Sequence, residues 1–204
     1  MIIILNGCPS AGKTSIIKEL QNLYQKHFLS LGIDRFWAMI PDQYKELGSK
    51  AHEGYLFVQS YDEYNKPIVN IKRGPLAEHI DHTMPQIIRS LAECNHDIAV
   101  DMIFVNDSML YNYAKELKNN TVYFIGIVCS LEELEKREKQ RGNRILGLAR
   151  GHINKIHKNK KYYDLVVDTT HCSAAACAQN ILNFIENKPD PIGFKKVQAD
   201  CEKI

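Results

Sequence analysis

The chain has 204 residues, 45% hydrophobic and 25% charged, with a formal net charge of +2. That suits one domain with a sizeable core and gives no basic excess favouring nucleic acid or a membrane surface as the main partner. No apolar run reaches the about 18 residues of a bilayer span, and the first residues read as a strand where a signal peptide would need a basic region and a longer apolar one.

The six cysteines, Cys8, Cys94, Cys129, Cys172, Cys177 and Cys201, form no C-x-x-C pair. Reduced thiols in a cytoplasm are expected, not a disulfide framework or a zinc site. Strands and helices alternate, the pattern of a parallel sheet with helices on both faces. Ile2–Asn6 is a first strand of the buried parallel kind, and a first helix runs from Lys13 to about Lys26, with Ile16, Ile17, Leu20 and Leu23 at helical spacing. Phe28–Ile33 reads as a second strand ending at Asp34, followed by a short helical or irregular segment over 35–44 with Phe36, Trp37 and Met39. Residues 54–73 read as an inserted β-hairpin, and 76–94 as a helix with Pro75 in its first turn and a kink at Pro85. A third strand spans Asp97–Asp101, a helix 108–118 and a fourth strand 122–128. Ser130 with Glu133 three residues on suggests a capping box for a charged helix from Leu131 to about Gln140. A glycine-bearing, basic region follows to Tyr163, then a fifth strand over 165–168 and a last helix over 173–186. Residues 187–204 are expected as a surface tail. The expected architecture is α/β, with three layers and a five-stranded parallel core. It forms one domain over 1–186, with the hairpin and a lid over 137–160 as embellishments.

Between the first strand and helix, Gly7-Cys8-Pro9-Ser10-Ala11-Gly12-Lys13-Thr14 fits G-x-x-x-x-G-K-[ST], a phosphate-binding loop. Its backbone N–H groups, over Gly7, Ser10, Ala11, Gly12 and on to Ser15, would wrap a phosphate at a helix N-terminus. Lys13 would reach the β- and γ-phosphates of ATP, and the Thr14 hydroxyl would hold Mg²⁺. Asp101, ending an apolar strand, is the best-placed second metal partner, if the first and third strands are neighbours. Asp34 then becomes the candidate general base for an acceptor hydroxyl, a strand-end cap being the alternative; Asp107 is a weaker rival and the expected cap of the following helix. Arg137 and Arg141, four apart on one helix face, and Arg144 beyond Gly142 could close over ATP and neutralise transition-state charge. The alternative is a solvated helix paired with Glu133, Glu135 and Glu138. Gly142, Gly147 and Gly151 suggest mobility there. Lys155, Lys158, Lys160 and Lys161 read as a solvated face, and His152, His157 and His171 show no metal-ligand spacing. Phe36, Trp37, Met39, Tyr55 and Phe57 read mainly as core, some of them lining an acceptor pocket.

Several segments together resemble the chloramphenicol 3-O-phosphotransferase family. These are Ile3-Ile4-Leu5-Asn6-Gly7 entering Ser10-Ala11-Gly12-Lys13; Leu31-Gly32-Ile33-Asp34 with Pro41 beyond; Arg137, Arg141-Gly142-Asn143-Arg144 and Gly147; and Val167-Asp168-Thr169-Thr170-His171. The resemblance runs from residue 2 to about 186 and implies a P-loop kinase fold, an ATP-dependent kinase acting on a small hydroxylated molecule, and Asp34 as base. In that family the acceptor is the primary hydroxyl of chloramphenicol, and phosphorylation inactivates the antibiotic. Met102 stands where the family tends to have a second aspartate, and Asn143 where an aspartate is usual. Two other readings remain: a nucleoside, nucleotide or metabolite kinase of similar build, and a non-enzymatic nucleotide-binding switch. An oligomer is possible but not predicted.

Overall fold

The computed structural model describes residues 1–142, 145–188 and 190–201. Its centre is a five-stranded parallel sheet built from β1 (Ile2–Gly7), β2 (Phe28–Gly32), β6 (Asp97–Met102), β7 (Val122–Val128) and β8 (Leu165–Asp168), in the order β2-β6-β1-β7-β8. The central strand β1 is buried along its whole length, as its unbroken Ile-Ile-Ile-Leu run requires. Period-two alternation divides its side chains between the faces. Ile3 and Leu5 pack with Ile16, Ile17 and Leu20 of α1 (Lys13–Leu23) and with Ala178 and Ile181 of α7 (Ala174–Asn187). Ile2 and Ile4 face Met84 and Ile88 of α3 (Pro75–Glu93), Leu110 and Tyr113 of α4 (Asp107–Glu116), and Phe194 and Val197 of α8 (Gly193–Cys201). The helices that follow β1 and β6 thus leave to opposite faces, which opens a crevice beyond the carboxyl ends of these neighbouring strands.

The hairpin is present as β4 (Tyr55–Tyr61) and β5 (Pro67–Arg73), paired antiparallel, with a two-residue strand β3 (Lys45–Glu46) added in parallel beside β4. α2 (Ile33–Met39) leads from β2 towards it. Pro85 sits inside α3, where it lacks the N–H for one intrahelical bond. Ser130 caps α5 (Leu131–Arg141) by accepting from Glu133 N, but the capping box is only half made. The Ser130 N–H goes to Thr170 Oγ1, and the Glu133 carboxylate goes to Lys136 and Arg137.

Two expectations need correction. Of the residues after 186, the described stretch Gly193–Cys201 is a helix packed on the core and not a surface tail. Phe194 and Val197 of α8 are buried, and the Phe194 ring stands edge-on to Phe124 of β7 at 5.3 Å. Isolated apolar residues among prolines and lysines gave too short a pattern to read as a helix. Asn106, not Asp107, caps α4, its side chain accepting from Met109 N. Gly147 and Gly151, expected to lend mobility, are positions of close packing. Gly147 precedes α6 (Leu148–Ile156) and Gly151 lies within it; Cβ atoms there would come within 2.4 Å of Pro67 O and 2.0 Å of Val69 O, so both glycines let α6 lie directly on β5.

The carboxyl end of β1 is locked by Asn6, which is fully buried. Its Oδ1 accepts from Phe104 N at 2.9 Å, and its Nδ2 donates to Tyr163 OH at 2.7 Å and to Ile156 O at 3.3 Å. His157 Nδ1 lies 2.9 Å from the same tyrosine oxygen, and His152 Nδ1 lies 2.7 Å from Leu148 O. Burial is the main force holding both imidazoles below the ordinary histidine range.

Truncating Phe194 to Ala is expected to cost about 3 to 5 kcal/mol of stability, read as a lowered urea midpoint at unchanged slope. His152, buried, and His157, half-buried, set a pH dependence. Their folded pKa lies below the unfolded value, so the unfolded chain binds protons first. Their contribution is complete above about pH 6.5 and is lost as pH falls through the folded values. Urea midpoints from pH 8 to pH 5 should therefore fall on the acid side, and His152→Gln should flatten part of that slope.

Candidate active site

The phosphate loop leaves β1 at Gly7 and enters α1 at Lys13. Ser10 and Gly12 adopt left-handed backbone, at φ 64 and φ 89, the kind of alternation that shapes anion-binding concavities. No side chain caps the first turn of α1, so its N–H groups and the positive end of the helix dipole face the loop's interior. Lys13 is 5% exposed and its ammonium is held by Gly7 O and Cys8 O, each at 2.9 Å, and by Asp101 Oδ1 at 3.3 Å.

Asp101 reaches the loop because β6 lies beside β1 with Asp101 opposite Leu5. Its Oδ2 accepts from Thr14 Oγ1 at 2.7 Å. Two hard oxygens at a helix start suit Mg²⁺, which binds through one or two protein oxygens and completes its shell with water and substrate phosphate. Among the described residues no group of three or more His, Cys, Asp or Glu side chains could cage a metal by itself. Ser10 Oγ is buried without a hydrogen-bond partner inside the loop. An orphaned hydroxyl there fits a polar guest such as a phosphate.

Arg137 stands over the other side of the loop. Its guanidinium donates to Thr169 O at 2.7 Å and Thr169 Oγ1 at 3.3 Å, and its Nε to Glu133 at 2.9 Å. Thr169 Oγ1 in turn donates to Ala11 O at 2.9 Å, so one threonine ties the arginine to the loop. A cavity of about 300 Å³ opens here, lined by Ser10, Gly12, Ser15, Arg137, Arg141 and Thr169. Arg141 also borders a narrow cleft between the loop, Asp34 and Asp101. Arg144, the third expected arginine, and Asn143 lie outside the described residues.

Asp34 does not end a strand as expected: the strand stops at Gly32, and Asp34 occupies the first turn of α2. Gly32 backs directly onto Asp101, where a Cβ would come within 2.9 Å of the Asp101 Cβ, so the chain turns into a helix as it clears β6. The turn still carries Asp34 to the crevice. On its far side lies a cavity of about 530 Å³, bordered by Asp34, Trp37, Tyr55, Phe57, Ile71, Arg73, Leu148 and His152. The Trp37 ring lies 5.0 Å from Tyr55 and 5.5 Å from Phe57, an aromatic wall of the sort that binding cavities use. Phe36 is core, but Met39 is 77% exposed and is not. At the cavity's edge Arg73 pairs with Asp81 at 2.9 Å, and Tyr55 OH donates to Asp81 at 3.2 Å. Burial nevertheless pushes the Asp81 carboxyl up, against the pull of Arg73.

Linear reading assigned no role to Thr169, Arg73 or His152. Thr169 lay in a segment noticed only for its resemblance; nothing in the sequence marks Arg73 or His152 as cavity residues, since the hairpin and α6 converge only in three dimensions. No helix among the described residues is long and apolar enough to cross a membrane.

Residues 1–186 match the family described as chloramphenicol phosphotransferase-like protein. Over 197 residues the chain is 26% identical to a provisionally named O-phosphotransferase of Mycobacterium tuberculosis, covering 97% of this chain and 87% of that protein. Among solved structures it is similar to a sugar kinase from Janibacter sp. HTCC2649, with TM-score 0.62, 11% identity, and 92% of this chain and 95% of that one covered. The APS kinase CysC of Mycobacterium tuberculosis, solved with AMPPNP and APS, gives TM-score 0.60, 14% identity, and coverage of 91% and 96%. The shikimate kinase from Acinetobacter baumannii, solved with shikimate, gives 0.58, 14%, and 92% and 94%. At such identities the structural likeness speaks for the fold. A family match that stops just short of the last helix, on a chain that folds as these kinases do, makes this protein a member of the chloramphenicol phosphotransferase-like family of P-loop phosphotransferases.

Proposed function

We propose that the protein transfers the γ-phosphoryl group of ATP to a hydroxyl of a small molecule seated in the aromatic-walled cavity. One observation carries this reading: Asp34 borders both the cleft of the phosphate loop and the large cavity. A carboxylate at that junction is positioned to meet an acceptor hydroxyl on one side and a phosphate on the other.

In this mechanism the loop over Gly7–Thr14 holds the phosphates, and Lys13 steadies the β- and γ-phosphates once phosphate oxygens replace the loop carbonyls around its ammonium. Thr14 and Asp101 would hold Mg²⁺, which when bound neutralises charge on the phosphate oxygens. Arg137 and Arg141 face the nucleotide cavity and supply positive charge as the phosphoryl group moves. Asp34 orients the acceptor hydroxyl and takes its proton as its oxygen bonds to the γ-phosphorus, with ADP leaving.

The acceptor's chemistry follows from the walls. Trp37, Tyr55, Phe57 and Ile71 favour a molecule with a flat apolar body, and Arg73 and Glu46 offer it polar ends. Chloramphenicol, with a primary hydroxyl, is the first acceptor to test, and phosphorylation of an antibiotic is the corresponding biological role. A small-molecule kinase acting on a nucleoside or metabolite is the other reading, favoured by the charged groups at the cavity's edge. A nucleotide switch would have no use for a second cavity of this size meeting an aspartate beside the phosphate loop.

Incubation with Mg-ATP and a panel of chloramphenicol, nucleosides and hydroxylated metabolites should give one acceptor a mass gain of one phosphate. Slow ATP hydrolysis with no phosphorylated product across the panel would overturn the transferase reading. Asp34→Asn should keep nucleotide affinity within about threefold while lowering transfer by about 10² to 10⁴. Normal product formation by that variant would remove Asp34 from the mechanism.

A further inference from the structure

The start of α7 sets two thiols side by side. Ser173 is its N-cap, with Oγ accepting from Ala176 N at 3.2 Å. In such a cap the residue before the cap and the fourth residue of the helix face each other, and two apolar side chains usually fill the contact. Here the two positions are Cys172 and Cys177, and their thiols lie within interaction range of each other. Cys172 is exposed and Cys177 buried. Both line the cavity of about 300 Å³ that Arg137 and Thr169 also border. Nothing in the transfer mechanism uses either sulfur.

We propose that Cys172 and Cys177 form a redox-modification site, in which a low-molecular-weight disulfide such as oxidised glutathione closes them into an intrachain disulfide that weakens nucleotide binding. This rests on reading the adjoining cavity as the nucleotide's. In the first step the exposed Cys172 thiolate attacks the small disulfide, forming a mixed disulfide and releasing one glutathione thiolate. Cys177, as thiolate, then attacks the Cys172 sulfur and releases the second. Two protein thiols are oxidised, one small disulfide is reduced to two thiols, and two protons pass from the protein to them. Because burial raises the Cys177 thiol above its ordinary range, the second step quickens as pH rises.

The bond draws the two sulfurs to about 2.05 Å, inside their non-bonded contact distance. In the proposed closure the exposed residue 172 is the partner that moves, towards the helix that holds Cys177. Three residues earlier lies Thr169, which holds both the Ala11 carbonyl and the Arg137 guanidinium. Shifting that segment disturbs the loop and the arginine together. Coupling is reciprocal, so bound nucleotide must oppose disulfide closure by the factor by which closure weakens binding. Cys8, which feels Cys129, is a poor competitor, since burial pushes its thiol up to about 12.

The test treats the full chain with oxidised glutathione, maps its peptides by mass spectrometry, and titrates Mg²⁺ with a fluorescent ATP analogue before and after. A mass loss of two hydrogens confined to the Cys172–Cys177 peptide is expected. The nucleotide Kd should rise about fivefold or more and be restored by dithiothreitol. Cys177→Ala should stop at a glutathione adduct on Cys172, and saturating nucleotide should shift the wild-type equilibrium towards the dithiol. A disulfide elsewhere, no disulfide, or an unchanged Kd in a protein that binds nucleotide when reduced would overturn the proposal alone. Failure of the reduced protein to bind nucleotide would overturn the nucleotide assignment of the cavity as well.

Discussion

Parallel pairing of β1 with β6 is the constraint from which the site follows. Its register puts Asp101 opposite Leu5, two residues before the loop begins. Side chains alternate along a strand, so a slip of one residue would turn Asp101 away from Thr14 and Lys13. The pairing of β2 with β6 adds Gly32 opposite Asp101, which brings the start of α2 and Asp34 to the same end of the sheet. Three strands thus deliver the loop and two carboxylates, Asp101 and Asp34, to one crevice. The helices that diverge to opposite faces after β1 and β6 keep that crevice open.

Charge in the crevice is held by short-range bonds. The ammonium of Lys13 is nearly dry, and two backbone carbonyls with the Asp101 carboxylate offset its lost hydration. Arg137 is likewise fixed by Glu133 and by both oxygens of Thr169. Preset groups of this kind stabilise developing charge without reorganising at the moment of reaction. Sharing Lys13 between the loop carbonyls and Asp101 also means that an incoming anion competes for a cation already in place.

The fold was legible because its signals were local and strong. Ile2–Leu5, the loop ending at Lys13-Thr14, the apolar run before Asp101 and the Ser130 cap each name an element without reference to the others. The hairpin could be read from alternation and the turn at Asp62–Pro67. Most of what was missed shares a cause. Asp34, Gly147, Gly151 and α8 have surroundings set by tertiary neighbours: Gly32 against Asp101, α6 against β5, and Phe194 against Phe124; the Asn106 cap is a local choice between adjacent residues. A glycine that permits close approach looks, in a sequence, the same as one that permits motion. For the candidate site, the loop could be located from its motif, whereas the large cavity arises from α2, the hairpin and α6 meeting, and no spacing along the chain encodes that meeting.

The buried carboxylate of Glu138 in α5 accepts from Gly147 N at 3.0 Å and Ala149 N at 2.7 Å, capping α6 from a neighbouring helix. With α6 fused to β5 through its two glycines, the arginine-bearing helix and the hairpin share one backbone framework. That framework limits how such a protein can diversify. Side chains at Trp37, Tyr55, Phe57 and Ile71 can change to admit a different guest. Insertions or register shifts in the hairpin would carry α6 with them and disturb the arginines. If the cavity holds the acceptor as proposed, change in what it accepts is therefore channelled into a handful of wall residues.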